Sequence, residues 1–225
     1  MTLILTNKDG LYADRRIVIH DEIQDADGFG KGTKLFTHPD RLYHVAFTGN
    51  IPTDWKLYAD SLYGFAMTGW LADPQVKKVE LAGELGDSYS ELTGVIIRTP
   101  WFAAWYDKKR PKELGILNPL RVFARGSTSI APRLLGMEIR EHGKVLHEPI
   151  PIADIYHSVS IYDACVSRDF DTGLVSALTK RKPARETIRK MAQLPTIKFA
   201  ESTNKPAKKK TKPTKAQATR RKVTK

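Results

Sequence analysis

Near its start the chain reads Leu3-Ile4-Leu5-Thr6, then Asn7-Lys8-Asp9-Gly10, then an apolar-rich run from Leu11 to Ile19. Asp-Gly between two such runs is a strong hairpin signal, because a tight hairpin turn needs residues that accept positive φ. The spacing predicts strands over Leu3–Thr6 and Leu11–Ile19, joined by Asn7–Gly10. With the turn centred near Lys8, Thr2 faces Asp14, twelve residues on. Thr2 carries a hydroxyl and, once Met1 is removed, a free α-amine. An α-amine with a pKa of about 7.7–8 is partly neutral at physiological pH and can take the hydroxyl proton.

The rest of the chain alternates strands and helices. Asp21–Gly32 is acidic and glycine-rich and reads as a loop. Thr33–Thr37 and Leu42–Thr48 read as a second strand pair around His38-Pro39-Asp40, ended by Gly49-Asn50. Trp55, Tyr58, Ala59, Leu62 and Phe65 have helical spacing, which predicts a helix over Asp54–Thr68. Pro74–Leu85 reads as a shorter helix. Leu92–Arg98, Trp101–Tyr106 and Leu120–Ala124 read as strands, with Asp107–Leu114 a charged turn. Ser127 caps a predicted helix running to Ile139. Ile152–Arg168 reads as another helix, closed by a turn at Asp169–Gly173. A short strand at Leu174–Leu178 and an amphipathic helix at Ala184–Leu194 follow. Antiparallel hairpins set against paired helices predict a layered α+β fold, with helices covering both faces of stacked sheets.

Composition narrows the classes. A chain of 225 residues is long enough for one well-filled core with a tail. The single cysteine, Cys165, excludes an intramolecular disulfide and fits a reducing compartment. No apolar run approaches the ~18 residues of a membrane span, and no signal-peptide order stands at the start. A cytoplasmic location without membrane association is the expectation. The net charge is +12, but Lys205–Lys225 holds ten Lys or Arg and no acid, so residues 1–204 carry only +2.

Several short motifs, in order, resemble those of the proteasome-type N-terminal nucleophile (Ntn) hydrolases, and most of all bacterial β-like subunits of the HslV kind. Thr2 after a single Met resembles the family's nucleophile. Ala13-Asp14-Arg15-Arg16 is similar to its Ala-Asp-Ser-Arg pattern, and Gly32-Thr33-Lys34-Leu35 to the segment carrying its lysine. Phe47-Thr48-Gly49-Asn50 resembles the glycine turn that supplies an oxyanion N–H. Arg125-Gly126-Ser127 resembles the Gly-Ser-Gly turn, and Arg168-Asp169-Phe170-Asp171-Thr172-Gly173 the Arg-Asp-x-x-Ser/Thr-Gly turn. The likeness spans roughly residues 2–180. It implies a four-layer αββα sandwich over residues 1–200 and a separate tail over 201–225.

The resemblance also implies roles. Thr2 is the nucleophile and its amine the general base. Lys34 stabilises negative charge on the attacking oxygen, and Asp14 keeps Lys34 charged and oriented. The Gly49 N–H faces the developing oxyanion. Ser127, Asp169 and Thr172 surround the Thr2 amine, and Phe47 lines the pocket for the substrate side chain. The implied activity is a threonine peptidase assembled as a homo-oligomer of rings or stacked rings. A separate ATP-dependent unfoldase would be its partner, since the chain lacks an ATPase motif. Three departures stand against the family pattern: the Thr2–Asp14 interval is four residues shorter, Leu3 follows the nucleophile, and Thr128 follows the Gly-Ser turn. Two alternatives stay open: an inactive proteasome-fold protein with a structural or nucleic-acid role, and an amidase of the same superfamily acting on a small amide.

No cofactor or metal is expected. Gly28-Phe29-Gly30-Lys31-Gly32-Thr33 lacks the Gly-Lys-Ser/Thr order of a phosphate loop. Asp21, Asp25 and Asp27 lack the spacing and final Glu of a calcium loop. His142 and His147 have no carboxylate or cysteine at a zinc-ligand spacing. Ser202–Lys225 is Lys, Ala, Thr and Pro, too polar to form a core, and is expected to be disordered. Lys208, Lys209, Lys210, Lys212, Arg220, Arg221 and Lys222 make it a candidate for binding phosphate backbones through counterion release. Without aromatic residues it has no means of base stacking.

Overall fold

The computed structural model describes residues 2–18, 29–49, 51–81, 92–117, 123–126, 151–163 and 166–193. The predicted helix from Ser127, most of the 21–32 loop and the basic tail lie outside these residues. One compact unit spans Met1–Pro195. Its elements run β1 (Leu3–Thr6), β2 (Gly10–Asp14), β3 (Arg16–Val18), β4 (Phe29–Lys31), β5 (Leu35–Thr37), β6 (His44–Thr48) and α1 (Trp55–Ala72). They continue with β7 (Lys78–Glu80), β8 (Gly94–Arg98), β9 (Ala103–Asp107), β10 (Glu113–Leu117), β11 (Phe123–Gly126), α2 (Ile152–Tyr162), β12 (Phe170–Leu174) and α3 (Arg185–Ala192).

Two antiparallel sheets carry the fold: four strands in the order β11-β1-β2-β12, and six in the order β5-β6-β8-β9-β10-β7. A small β3-β4 ribbon stands beside them. Because side chains alternate along a strand, β1 and β2 feed two cores at once. Ile4, Leu11 and Ala13 face inward and pack with Ala46 and Ile96 of the six-stranded sheet. Leu3, Leu5 and Tyr12 face outward and pack under Ile155, Tyr156 and Val159 of α2. On the far side α1 covers the six-stranded sheet, with Trp55 stacked on Phe36 at 4.7 Å and Gly69 against Val79. Helix α3 lies on α1, close enough that a Cβ on Gly64 would sit 2.4 Å from the Ala192 nitrogen. The order is helix, sheet, sheet, helix, as expected.

Several local expectations change. Pro74–Leu85 contains the strand β7, and the charged turn at Asp107–Leu114 runs into β10. The expected turn at Asp169–Gly173 is mostly β12, which pairs with β2 from Phe170↔Asp14 to Leu174↔Gly10. Aspartate, threonine and glycine disfavour strands in isolation, but ladder pairing with a buried strand overrides that preference. The chain from Leu174 to Leu178 is a 3₁₀ turn over Val175–Ala177 rather than a strand. The helix expected over Ile152–Arg168 ends at Tyr162. Among the described residues no helix is long and apolar enough to cross a membrane.

Candidate active site

The β1–β2 hairpin is tighter than the sequence spacing implies. Its register pairs Ile4 with Ala13, Leu5 with Tyr12 and Thr6 with Leu11. Asn7 and Gly10 close the turn, with the Asn7 N–H donating to the Gly10 carbonyl at 3.1 Å. The Asn7 side-chain oxygen accepts from the Asp9 and Gly10 N–H groups. The loop is therefore Lys8-Asp9, and its centre lies half a residue beyond Lys8. Continued by two steps, the register sets Asp14 opposite Leu3 and Arg15 opposite Thr2. The expected Thr2–Asp14 opposition is corrected accordingly.

The offset gives Asp14 a definite task. Its carboxylate is wholly buried. Oδ1 accepts from the Leu3 N–H at 2.7 Å, which is the amide immediately after Thr2. Oδ2 accepts from the Lys34 ammonium at 2.8 Å and from the Arg16 N–H at 3.2 Å. One carboxylate thus ties the peptide bond following Thr2 to Lys34. Lys34 is 5% exposed, as is Thr2. Among the described residues Asp14 is the one hydrogen-bond acceptor for the Lys34 ammonium. An ammonium has three donors.

Leu3 is held from its other side as well. The Tyr156 hydroxyl donates to the Leu3 carbonyl at 3.2 Å. Burial, and then the nearby Asp14 charge, push the Tyr156 phenol well above its ordinary pKa, so it stays a donor. Its ring stacks on Phe170 at 4.5 Å. Sequence reasoning did not single out Tyr156. Helical spacing places it on the buried face of α2, but no local signal marks it as a partner of Leu3.

Lys34 is positioned by β6. The Phe47 N–H donates to the Lys34 carbonyl at 3.2 Å, which extends the β5–β6 ladder by one residue. The Phe47 side chain is fully buried and packs edge-on against Phe36. It lies in the core beside Phe36, without exposed surface in this structure. Two residues on, about 7 Å along the strand, Gly49 has φ +78°. A Cβ there would lie 2.4 Å from the Thr93 hydroxyl, so both backbone and space require glycine.

The remaining expected residues divide. The Arg15 N–H donates to the Asp169 carbonyl at 3.0 Å, which puts Asp169 level with Thr2, two strands across with Arg15 between. Thr172 pairs with Tyr12, and Tyr12 with Leu5. It is thus two strands across and three residues along from Thr2, on the order of 14 Å at ordinary sheet spacings. That is too far to touch the Thr2 amine. Ser127 lies outside the described residues. The Arg15 side chain pairs with Asp171, Nε to Oδ1 at 3.4 Å, rather than with Asp14. Beside it a cleft of about 410 Å³ is lined by Arg15, Asp154, His157, Arg168, Asp169 and Phe170, among others. The α2 side of this cleft had no sequence signal, because Asp154 and His157 are ordinary exposed helix residues. Among the described residues no group of three or more His, Cys, Asp or Glu is placed to hold a metal ion.

No protein-family model and no curated protein sequence matches the chain. Solved structures do. The chain is similar to eukaryotic HslV from Trypanosoma brucei, with a TM-score of 0.51 at 14% identity over 77% of this chain and 97% of that one. It is also similar to Anbu, the ancestral β-subunit, from Yersinia bercovieri, with a TM-score of 0.43 at 15% identity over 88% of this chain and 99% of that one. At such identities the HslV likeness speaks to fold alone. The molecule has the α+β, four-layer αββα sandwich of the proteasome-like Ntn type.

Proposed function

We propose that the chain is a threonine-type peptidase, with Thr2 as its N-terminal nucleophile after the Met1–Thr2 bond is cut. The observation that carries this reading is the Asp14 carboxylate, which joins the Leu3 N–H at 2.7 Å to the buried Lys34 ammonium at 2.8 Å. A buried lysine with one acceptor among the described residues has donors for an oxygen that gains negative charge, and a pre-oriented donor of this kind lowers the barrier to attack. In this mechanism the freed α-amine takes the Thr2 Oγ proton as the oxygen attacks a substrate carbonyl. The amine then protonates the leaving nitrogen, and water resolves the acyl-enzyme. Lys34 stabilises the attacking oxygen, Asp14 holds Lys34 and Leu3 in place, and the Gly49 N–H donates to the oxyanion. Asp169 and Ser127 supply polar groups around the amine.

The same reading includes a cytoplasmic homo-oligomer of rings or stacked rings, served by a separate ATP-dependent unfoldase. The two-unit division at residue 200, with the tail contributing nucleic-acid contacts through Lys208–Lys210, Lys212 and Arg220–Lys222, belongs to it too.

A β-lactone or peptide-aldehyde probe tests the proposal. The protein lacking Met1 should be labelled at Thr2, and Thr2→Ala should not. Persistent labelling of Thr2→Ala, or intact mass showing Met1 retained on all purified protein, would sink it. A small-molecule amidase would label at Thr2 yet fail to cleave unfolded polypeptides.

A further inference from the structure

The charge of the folded region is not spread over it. Residues 180–190 hold six cations, Lys180, Arg181, Lys182, Arg185, Arg189 and Lys190, against one acid, Glu186. That is +5 in eleven residues, and since residues 1–204 total +2, the remainder of that stretch nets −3. All six cations are exposed. Among the described residues only Lys190 of these has an acidic ion-pair partner, Glu186 at 2.9 Å on the same helix face. Helix α1, which α3 covers, contributes one cation and one acid, and these pair with each other: Lys56 with Asp60 at 2.5 Å.

The patch is also rigidly mounted. Ile188 is buried, and Gly64 admits the Ala192 backbone with no room for a Cβ. Lys182 lies over the Trp70 ring at 4.7 Å, and that ring stacks on Trp101. Arg185 and Arg189 stand one turn apart on the exposed side of α3, a rise of about 6 Å. Solvent-facing cations in such excess over acids, mounted on a packed helix, gain most from a densely charged linear polyanion, whose condensed counterions they release.

We propose that α3 and the segment leading into it, residues 180–190, form a binding surface for the phosphate backbone of double-stranded nucleic acid. Duplex is the occupant chosen because its charge density exceeds that of an acidic polypeptide. The site is independent of the tail beyond residue 200 and of chemistry at Thr2.

The test is fluorescence anisotropy of a labelled 20-base-pair duplex with the full chain, titrated at several salt concentrations. A background variant with all ten tail cations changed, K205Q, K208Q, K209Q, K210Q, K212Q, K215Q, R220Q, R221Q, K222Q and K225Q, isolates the body. That variant should still bind, with log affinity falling linearly with log salt. Adding R185Q and R189Q should flatten the slope by about 2 and weaken binding about tenfold at low salt. An unchanged slope and affinity would overturn the proposal, as would loss of all binding in the tail variant alone. Polyglutamate should compete about tenfold less well than unlabelled duplex at equal charge. Equal competition would mean an acidic protein partner and would also overturn it. The far-UV spectrum and β-lactone labelling of R185Q/R189Q should match those of the parent, so that failure here is separable from failure of the peptidase reading.

Discussion

Two buried cations grip opposite ends of the same hairpin, and they do so differently. At the turn end, Arg98 of β8 donates from Nε to the Asn7 carbonyl at 3.1 Å and from Nη2 to the Lys8 carbonyl at 3.1 Å. Its Nη1 reaches the Thr99 carbonyl and, at 3.4 Å, that of Phe102. Burial lowers the guanidinium to about 10, which leaves it charged at neutral pH. At the other end Lys34 meets a full carboxylate. Arg98 spends its fork on backbone oxygens and has a structural task. Among the described residues Lys34 makes one charge-assisted bond, to Asp14, which under the proposed mechanism leaves donors for a reacting oxygen. Burial and charge are common to the two cations; the kind of acceptor is what differs between them.

The comparison can be broken most severely at Asp14. Asp14→Ala would leave the Lys34 charge buried without its partner and orphan the Leu3 and Arg16 N–H groups. A loss of about 3–5 kcal/mol is expected in urea unfolding. Arg98→Met should come next, at about 2–3 kcal/mol, because several carbonyls lose their donor while no opposite charge is stranded. If Arg98→Met also abolishes probe labelling at Thr2 in protein that is still folded, the division between the two ends fails. Tyr156→Phe removes a single neutral hydrogen bond to Leu3 and should cost about 1 kcal/mol. It should also slow labelling at Thr2 if the placement of Leu3 matters to reaction.

The smallest effect concerns pH. His44 bonds the Leu174 carbonyl through Nε2 at 2.9 Å, so Nε2 carries the proton and Nδ1 accepts from the Thr37 hydroxyl. Burial lowers its pKa below 6.5, with the Leu174 bond opposing and Arg98 adding to the fall. The unfolded chain therefore takes up the His44 proton first as pH drops. This share of stability is complete above about 6.5 and is lost progressively below it. Buried His38 has the same sign, with Asp60 at 3.4 Å opposing the shift. The unfolding midpoint should be flatter between pH 6.5 and 5 in His44→Gln than in the parent, and a parallel decline would exclude His44 as a source.

Much of this was legible in the residues. The Asp-Gly hairpin, the Asp14–Lys34 pair and the glycine after β6 are local or motif-borne, and they stand where the chain order puts them. What escaped is set by tertiary pairing. Phe170–Leu174 has turn-forming residues and becomes a strand because β2 offers a buried edge. Lys78–Glu80 is a three-residue edge strand, too short and too charged for apolar alternation to announce it, and it becomes a strand by pairing with Glu113–Gly115. Thr172 was placed by motif likeness, and only the ladder register shows it three residues too far along. Tyr156 acts from 153 positions away, a relation no window of sequence contains.

One consequence concerns maturation. The bonds that fix Leu3 use its own N–H, taken by Asp14, and its own carbonyl, taken by Tyr156. None uses an atom of Met1. Cutting the Met1–Thr2 bond, as the proposed mechanism requires, therefore leaves both of these bonds in place, and chains with and without that residue should melt together. Under that mechanism, activation would be a chemical event that leaves the hold on Leu3 as it stands.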